Sequence, residues 1–320
     1  MTMGHQRYTS GSWAMVRFIA QRFFMKPLFW SMLNVHVHGK RNLAGLSGPY
    51  IAIANHSSHL DGPLVMASLP PRLTRYLATG AAADYFFTSP TKALAPTLFM
   101  NAFPVDRGGG RSKHKGLSGN LLTEGVPILL FPEGTRSRTG AMAAFKPGPA
   151  ALCISRNVPV IPIALVGAHL AMPTDAALPK SGRPDVHVVF GKPMWAQKGE
   201  TARKFADRMH DQVLLMHDSM ARATGFPTME DYRIAAERKK VEDAAAEEQK
   251  QLDKAAAEER RAAEAEAKRH LAEARRATAL EEKRIAAASK KHGGDLKHDE
   301  HEPEDVDPTH PGDPEGKDDR

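Results

Sequence analysis

The chain has 320 residues, of which 42% are hydrophobic, 25% charged and 7% aromatic. This composition excludes a fully disordered or collagen-like protein and supplies enough apolar residues for one or two globular domains. The single cysteine, Cys153, excludes a scaffold built on internal disulfides and favours a reducing compartment.

The net charge of +7 is unevenly distributed along the chain. Residues 1–229 carry 25 Lys and Arg against 11 Asp and Glu, whereas residues 230–320 carry 19 against 26. A basic first part suits a partner that carries phosphate groups, such as an anionic membrane lipid. We expect no nucleic acid partner, because aromatic and basic residues are concentrated together only at the N-terminus.

Residues 1–34 contain two apolar, predicted helical stretches with basic flanks. On a helical wheel, Arg17, Gln21 and Arg22 lie away from an apolar face formed by Trp13, Val16, Ile19, Ala20, Phe23 and Phe24. Pro27 is predicted to kink or end this first helix before the second stretch. The longest uncharged run here, residues 27–39, is too short to cross a bilayer, and we predict no transmembrane helix. The two stretches can dock on a membrane surface as an amphipathic anchor, or pack as a helical pair on the protein's own core.

From residue 35 onward, short apolar runs alternate with helical patterns. His36 and His38 alternate on one predicted strand, and the other strands are predicted at 50–54, 73–78, 102–105, 127–131, 158–166 and 186–190. Helices are predicted at 63–68, 88–99, 112–124, 147–155 and 201–223. This alternation predicts an α/β fold with a central, mostly parallel or mixed sheet flanked by helices.

Residues 229–291 are dominated by Ala, Glu, Lys and Arg and contain neither Gly nor Pro, which predicts one long charged helix. Five large aliphatic residues spread along it do not keep a heptad spacing: Val241, Leu252, Leu271, Leu280 and Ile285. We therefore expect a solvated helix rather than a stable coiled coil, with a protein partner as an open possibility. Residues 292–320 are predicted to form a disordered acidic tail.

The most informative string is Asn-His-Ser-Ser-His-Leu-Asp at 55–61, directly after a predicted strand. In a regular helix Asp61 would be rotated about 140° from His56, so contact between them requires a turn that folds back at a helix start. A carboxylate that holds one imidazole N–H leaves the other nitrogen free to act as a general base. Asn55 and Ser58 can cap this turn or bond nearby groups. Taken alone, the string can equally be a turn stabilised by His and Asp hydrogen bonds.

Three further strings follow in order: Phe-Pro-Val-Asp-Arg-Gly at 103–108, Phe-Pro-Glu-Gly-Thr-Arg-Ser at 131–137 and Val-Pro-Val-Ile-Pro at 158–162. With them, the sequence resembles the glycerolipid acyltransferases, a family that includes the 1-acyl-glycerol-3-phosphate acyltransferases, over roughly residues 15–220. The family's N-H-x-S-x-x-D motif is matched by Asn55, His56, Ser58 and Asp61, and its F-P-E-G-T-R-S motif without a departure. We therefore expect an acyltransferase domain at 35–228. The prolines at 158–162 resemble a motif that lies near the acyl group in the family, or belong to an ordinary core strand.

The resemblance implies acyl transfer from acyl-CoA or acyl-ACP to a lysophospholipid hydroxyl, most simply from lysophosphatidic acid to phosphatidic acid. It implies no metal, no cofactor and no covalent enzyme intermediate. Because a thioester is already activated, the enzyme chiefly has to deprotonate the alcohol and hold both substrates, and His56 with Asp61 suits the first task. The open alternatives are another acceptor, such as glycerol-3-phosphate or a different lysolipid, and a non-catalytic membrane scaffold.

Cationic side chains are the candidates for binding the acceptor phosphate. Arg107 and Arg136 each offer a permanently charged planar fork in a loop that contains glycine, and Lys146 can add a third charge before a predicted helix. The alternative is a surface arginine or an ion pair with Asp106 or Glu133.

The remaining substrate-binding candidates come from the 131–137 string. The resemblance implies that Glu133 positions the glycerol part of the acceptor, and Gly134 and Thr135 are counted with it. His56 and His59 form no convincing metal pair, because no second ligand set accompanies them. We expect a peripheral protein at the cytoplasmic face of the cell membrane, with membrane lipids and the acyl donor as partners.

Overall fold

The computed structural model describes residues 7–82, 96–105 and 116–292, with side chains up to residue 289. Its seven strands are β1 (Asn34–His38), β2 (Ile51–Ala54), β3 (Ala78–Ala82), β4 (Phe103–Val105), β5 (Ile128–Leu130), β6 (Val160–Val166) and β7 (Asp185–Phe190). The helices are α1 (Gly11–Ile19), α2 (Lys26–Met32), α3 (Asp61–Ser68), α4 (Pro71–Thr74), α5 (Leu117–Thr123), α6 (Gly148–Arg156), α7 (Ala168–Ala171), α8 (Ala202–Thr224) and α9 (Met229–His292). A π-helix (Ala20–Met25) joins α1 to α2, and a 3₁₀ helix (Lys40–Leu43) follows β1.

The strands form one mixed sheet in the order β1-β7-β6-β2-β5-β3-β4. Neighbouring strands are parallel except for β6 and β7, which are antiparallel. The α/β class with a mixed, helix-flanked sheet is therefore confirmed. β2 and β6 are buried at every residue, as expected for unbroken apolar strands covered on both faces.

Two apolar clusters cover the two faces of the sheet. One contains Tyr50, Leu64 and Leu33, with Phe29 and Trp30 packed against it. The other is built on residues from α5, α6 and α8 and contains Phe103, Phe145, Phe205, Met209 and Val213. Between these clusters the carboxyl ends of the parallel strands β2 and β5 lie side by side, which positions the loops that follow them.

The N-terminal helix does not end at Pro27. Proline has no N–H to donate, and the π-helical segment just before α2 lets the chain continue past it. The predicted apolar face points outward: Phe23 and Phe24 are each 66% exposed. Ala20, placed on that face by the wheel, is buried instead.

The polar side of this helix faces the protein. Arg17 is 3% exposed and donates from Nη1 to the Arg7 carbonyl at 3.1 Å, and Gln21 donates to the Phe99 carbonyl at 2.7 Å. The first stretch therefore turns most of its large apolar side chains outward and packs on the protein's core only through small residues and Met25, whereas the second packs there through Phe29 and Trp30. Across the described ranges we find no helix long and apolar enough to span a bilayer.

The prediction of a strand at 73–78 is wrong for its first part. Residues Pro71–Thr74 form α4, because Pro71 at a first helical position has the fixed backbone angle that starts a helix. The strand begins at Ala78. The predicted helices 88–99 and 112–124 extend beyond the described residues, and their described parts are helical at 96–100 and 117–123.

The long charged helix is confirmed as α9, and its large aliphatic side chains are exposed. Its first turn is capped by Thr228 and Asp231, and Met229 and Tyr232 are buried. Contacts divide the chain into two compact units after Asp243. The predicted acidic tail lies outside the described residues.

Candidate active site

The turn after β2 brings His56 and Asp61 together, as the spacing predicted. Asp61 begins α3 and is fully buried, and its Oδ2 accepts from the backbone N–H groups of Ser57 at 2.7 Å and Ser58 at 2.8 Å. The same oxygen lies 2.8 Å from His56 Nδ1. Because Oδ2 already accepts two backbone bonds as a carboxylate oxygen, Nδ1 is the donor of the third. This fixes the tautomer in which His56 Nε2 is free to accept a proton.

The imidazole is oriented by packing as well. His56 stacks on Phe131 with ring centroids 4.0 Å apart and planes at 17°. About a fifth of its side chain remains exposed, and it lines a cavity. A buried carboxylate and an aromatic face therefore hold one edge of the ring while the other edge faces open space.

Glu133 links the strings at 55–61 and 131–137 in space. Its Oε1 accepts from the His56 backbone N–H at 2.6 Å, and its Oε2 accepts from the Ala143 N–H at 2.9 Å. Burial raises the pKa of this carboxyl to about 7, against the opposing effect of the two backbone bonds. Glu133 thus positions the backbone beneath His56. Both of its oxygens are occupied by protein groups, so glycerol binding by Glu133 remains an expectation.

Asn55 and Ser58 make buried contacts. Asn55 bonds both the carbonyl and the N–H of Leu165, at 3.0 and 2.8 Å, which fastens the end of β2 to β6. Ser58 donates to the Met172 carbonyl at 2.7 Å and accepts from the Leu60 N–H at 3.2 Å. Ser58 also lines the cavity, but both side chains serve first to hold the turn.

The cavity beside His56 has a volume of about 460 Å³. One end carries the polar side chains of His56, His59, Arg136 and Lys146. The rest is lined mainly by small and apolar residues at the open edge of the sheet and on the helices above it, among them Gly80, Val105, Met100, Leu130 and Leu152. A ligand with an anionic group and an apolar chain matches this division.

Two cations lie at the polar end. Gly134 adopts φ +79°, and a side chain there would approach Lys146 Nζ to 2.6 Å, so the glycine lets the lysine cross its backbone. Neither Arg136 nor Lys146 forms an ion pair with any carboxylate that the structure describes. In particular, Arg136 does not pair with Glu133. Thr135 is exposed at the cavity rim, and Arg107 lies outside the described residues.

Two contacts of the site were missed by sequence reasoning. The sequence pattern marks His59 only as half of an unconvincing metal pair, yet its ring contacts Arg136, with Nδ1 2.7 Å from Nη1. Phe131 was treated as part of a string, although it forms the platform for His56. The spacing of aromatic residue and histidine in separate loops gives no local signal for stacking.

Comparison with known proteins gives a consistent result. Residues 34–166 match the family model described as Acyltransferase. Among curated proteins, the chain is 29% identical over 195 residues to the chloroplastic 1-acyl-sn-glycerol-3-phosphate acyltransferase BAT2 of Brassica napus, covering 57% of this chain and 54% of that one. It is 30% identical over 185 residues to 1-acyl-sn-glycerol-3-phosphate acyltransferase alpha of Bos taurus, covering 57% and 62%. The chain thus spans a little over half the length of these relatives.

The fold is similar to that of a solved structure. It is the 1-acyl-sn-glycerophosphate (LPA) acyltransferase PlsC from Thermotoga maritima, with a TM-score of 0.50 and 21% identity. The match covers 61% of this chain and 76% of that one. At this identity the likeness concerns the fold alone.

Proposed function

We propose that this chain, whose residues 34–166 match the Acyltransferase family model, is a glycerolipid acyltransferase that transfers an acyl group from a thioester donor to the free hydroxyl of lysophosphatidic acid, giving phosphatidic acid. The observation that carries this proposal is the position of His56. Its free ring edge faces a cavity that has Arg136 and Lys146 at one end and mainly apolar walls along the rest. We propose acyl-CoA or acyl-ACP as the donor.

In the proposed reaction, His56 Nε2 accepts the proton of the acceptor hydroxyl as the oxygen attacks the thioester carbonyl carbon. The tetrahedral intermediate then collapses, and the carbon–sulfur bond breaks as the new ester forms. The imidazolium returns its proton to the leaving thiolate. The products are the diacyl lipid and the free thiol, and His56 is restored.

Asp61 acts through His56. Its buried carboxylate accepts the Nδ1 proton at 2.8 Å and so stabilises the imidazolium that forms during the attack. The two backbone N–H groups on the same oxygen hold the carboxylate in place. The turn is therefore organised before substrate binds, which lowers the reorganisation needed during the reaction.

The cations at the polar end suit an acceptor that carries phosphate. Arg136 can donate two parallel hydrogen bonds to phosphate oxygens, and Lys146 adds a compact positive charge. The apolar length of the cavity suits an acyl chain. These features favour a phosphorylated acceptor over a neutral one. Glycerol-3-phosphate is the second candidate, because the same cations suit its phosphate.

The outward apolar face of α1 and the π-helix supports a peripheral membrane location. Phe23, Phe24 and Trp13 are exposed on this face, while Lys26 lies 4.9 Å over the Trp30 ring. Exposed aromatic residues with neighbouring cations are typical of helices that lie in the headgroup region. We propose that this face enters the lipid surface and so brings the cavity to an acceptor that need not enter water.

The proposal is tested by thiol release from acyl-CoA or acyl-ACP in lipid vesicles, with the product identified by mass. The acceptor panel contains lysophosphatidic acid, glycerol-3-phosphate and 1-acylglycerol, which lacks phosphate. We expect release with lysophosphatidic acid, little with 1-acylglycerol, and none with a His56→Ala variant that retains its fold. An absence of release with every donor and acceptor would overturn the proposal in favour of a scaffold.

A further inference from the structure

His59 lies inside the turn that carries His56 and Asp61, but its side chain takes no part in their hydrogen bonds. It is exposed to the cavity, and its ring is in contact with Arg136 from the loop after β5. Arg136 Nη1 lies 2.7 Å from His59 Nδ1 and also contacts Nε2. A histidine is thus held directly against one of the cations proposed to bind phosphate.

This contact favours a neutral His59. A guanidinium has only donors, and a protonated imidazole also has only donors, so the contact with Arg136 disfavours a charged His59 ring. Burial and the positive charge of Arg136 lower the pKa of His59, as does His56, whereas Asp61 and a backbone contact with Thr174 raise it. The only carboxylate among these groups is Asp61, which is already committed to His56.

An anion bound beside Arg136 would favour the protonated form of His59. Lys146 lines the same cavity, so two cations lie close to a neutral imidazole. A bound phosphate dianion offsets the positive charge of Arg136 and offers acceptor oxygens to the ring. Protonation of the ring then adds a charge-assisted hydrogen bond in place of a repulsion.

We propose that His59 is a further phosphate-binding residue, which takes up a proton from solvent as the acceptor phosphate binds beside Arg136. The inference rests on the proposed function, since it names the group that would recognise that function's acceptor. The same chemistry would serve the phosphates of coenzyme A, so the experiment separates the two sources.

The direct test counts protons on binding. A short-chain lysophosphatidic acid is titrated into the full-length protein at pH 7.5 by calorimetry, in two buffers with different ionisation enthalpies, and coenzyme A is titrated in a parallel series. We expect the wild-type protein to take up more protons per bound acceptor than His59→Asn or His59→Gln, by up to one. The control is His270→Asn, which removes an exposed histidine from α9 and should match the wild type. Phosphate that binds to cations tends to release its own proton, so an uptake identifies a group on the protein.

The second readout is kinetic. His59→Asn should raise the KM for lysophosphatidic acid about tenfold at pH 6.5, the size of one lost charge-assisted hydrogen bond, and by much less at pH 8.5. Most of the effect should fall on KM rather than kcat, and the KM for the acyl donor should change little. His270→Asn should leave both constants unchanged.

The outcomes separate the inference from the function on which it rests. Turnover of lysophosphatidic acid with equal proton uptake in wild type and both His59 variants would overturn the inference and leave the function intact. Proton uptake only with coenzyme A would also overturn it. A wild-type protein that transfers no acyl group would instead contradict the proposed function.

Discussion

The exposed apolar face of the N-terminal helix gives a prediction whose size can be worked from the structure. Phe23 and Phe24 are each 66% exposed. A phenylalanine side chain has about 200 Å² of accessible surface, so roughly 130 Å² of each lies in solvent. At about 25 cal/mol per Å², transfer of each ring into an apolar medium is worth about 3 kcal/mol.

The double change Phe23→Ala and Phe24→Ala removes most of this surface. Alanine keeps a methyl group, and an interfacial helix embeds only part of its apolar face, so we expect a loss of about 1 kcal/mol per ring. The pair then weakens partition onto vesicles by about 30-fold. Because both rings already lie in solvent, the fold should be unaffected.

The assay is flotation of the protein with anionic vesicles, read as the bound fraction against lipid concentration. Leu215→Ala is the matched control, because Leu215 on α8 is 61% exposed and lies outside the N-terminal face. The reasoning is refuted if the phenylalanine variant binds vesicles like the wild type, or if Leu215→Ala weakens binding equally.

Three further predictions concern the body of the protein. Arg136→Ala should raise the KM for lysophosphatidic acid at least tenfold and barely change that of the acyl donor in steady-state assays; equal effects on both would contradict phosphate binding. The pKa of Glu133 is raised from 4.5 to about 7 on folding, so the folded state binds this proton more tightly than the unfolded state. The free energy of unfolding should therefore fall by about 3 kcal/mol as pH rises from 4.5 to 7. Glu133→Gln should remove that slope in urea titrations, and an unchanged slope would count against the burial argument. Truncation after Asp243 should leave activity intact. Truncation after residue 228 should lower the melting temperature, because it removes Tyr232, whose ring contacts that of His169 edge-on with centroids 5.7 Å apart. Equal melting temperatures for the two truncated proteins would contradict this.

Much of the fold and the core of the site could be predicted from local sequence. The unbroken apolar run before residue 55 placed β2, and the five-residue step from His56 to Asp61 required the turn that is found. Such features depend on residues that are close together in the chain, so the sequence pattern predicts them.

The features that could not be predicted depend on packing between distant segments. A helical wheel identifies two faces of a helix but does not show which face contacts the protein. Here Arg17 and Gln21 donate to backbone carbonyls, and because every residue has a carbonyl, the sequence cannot indicate these partners. Glu133 likewise accepts hydrogen bonds from the backbone N–H groups of His56 and Ala143, and the identity of those residues does not predict the bonds. The contact between His59 and the Arg136 guanidinium could be identified only in the folded structure, because the two residues are far apart in the chain.

The role of His56 is tested most directly by His56→Gln, assayed by thiol release in a single turnover with saturating lysophosphatidic acid. Glutamine keeps a polar side chain but cannot accept the hydroxyl proton at neutral pH, so the acyl-transfer rate should fall by about a thousandfold while the melting temperature and acceptor affinity change little. A rate within a few-fold of the wild type would contradict the account, because a different group would then have to take the proton.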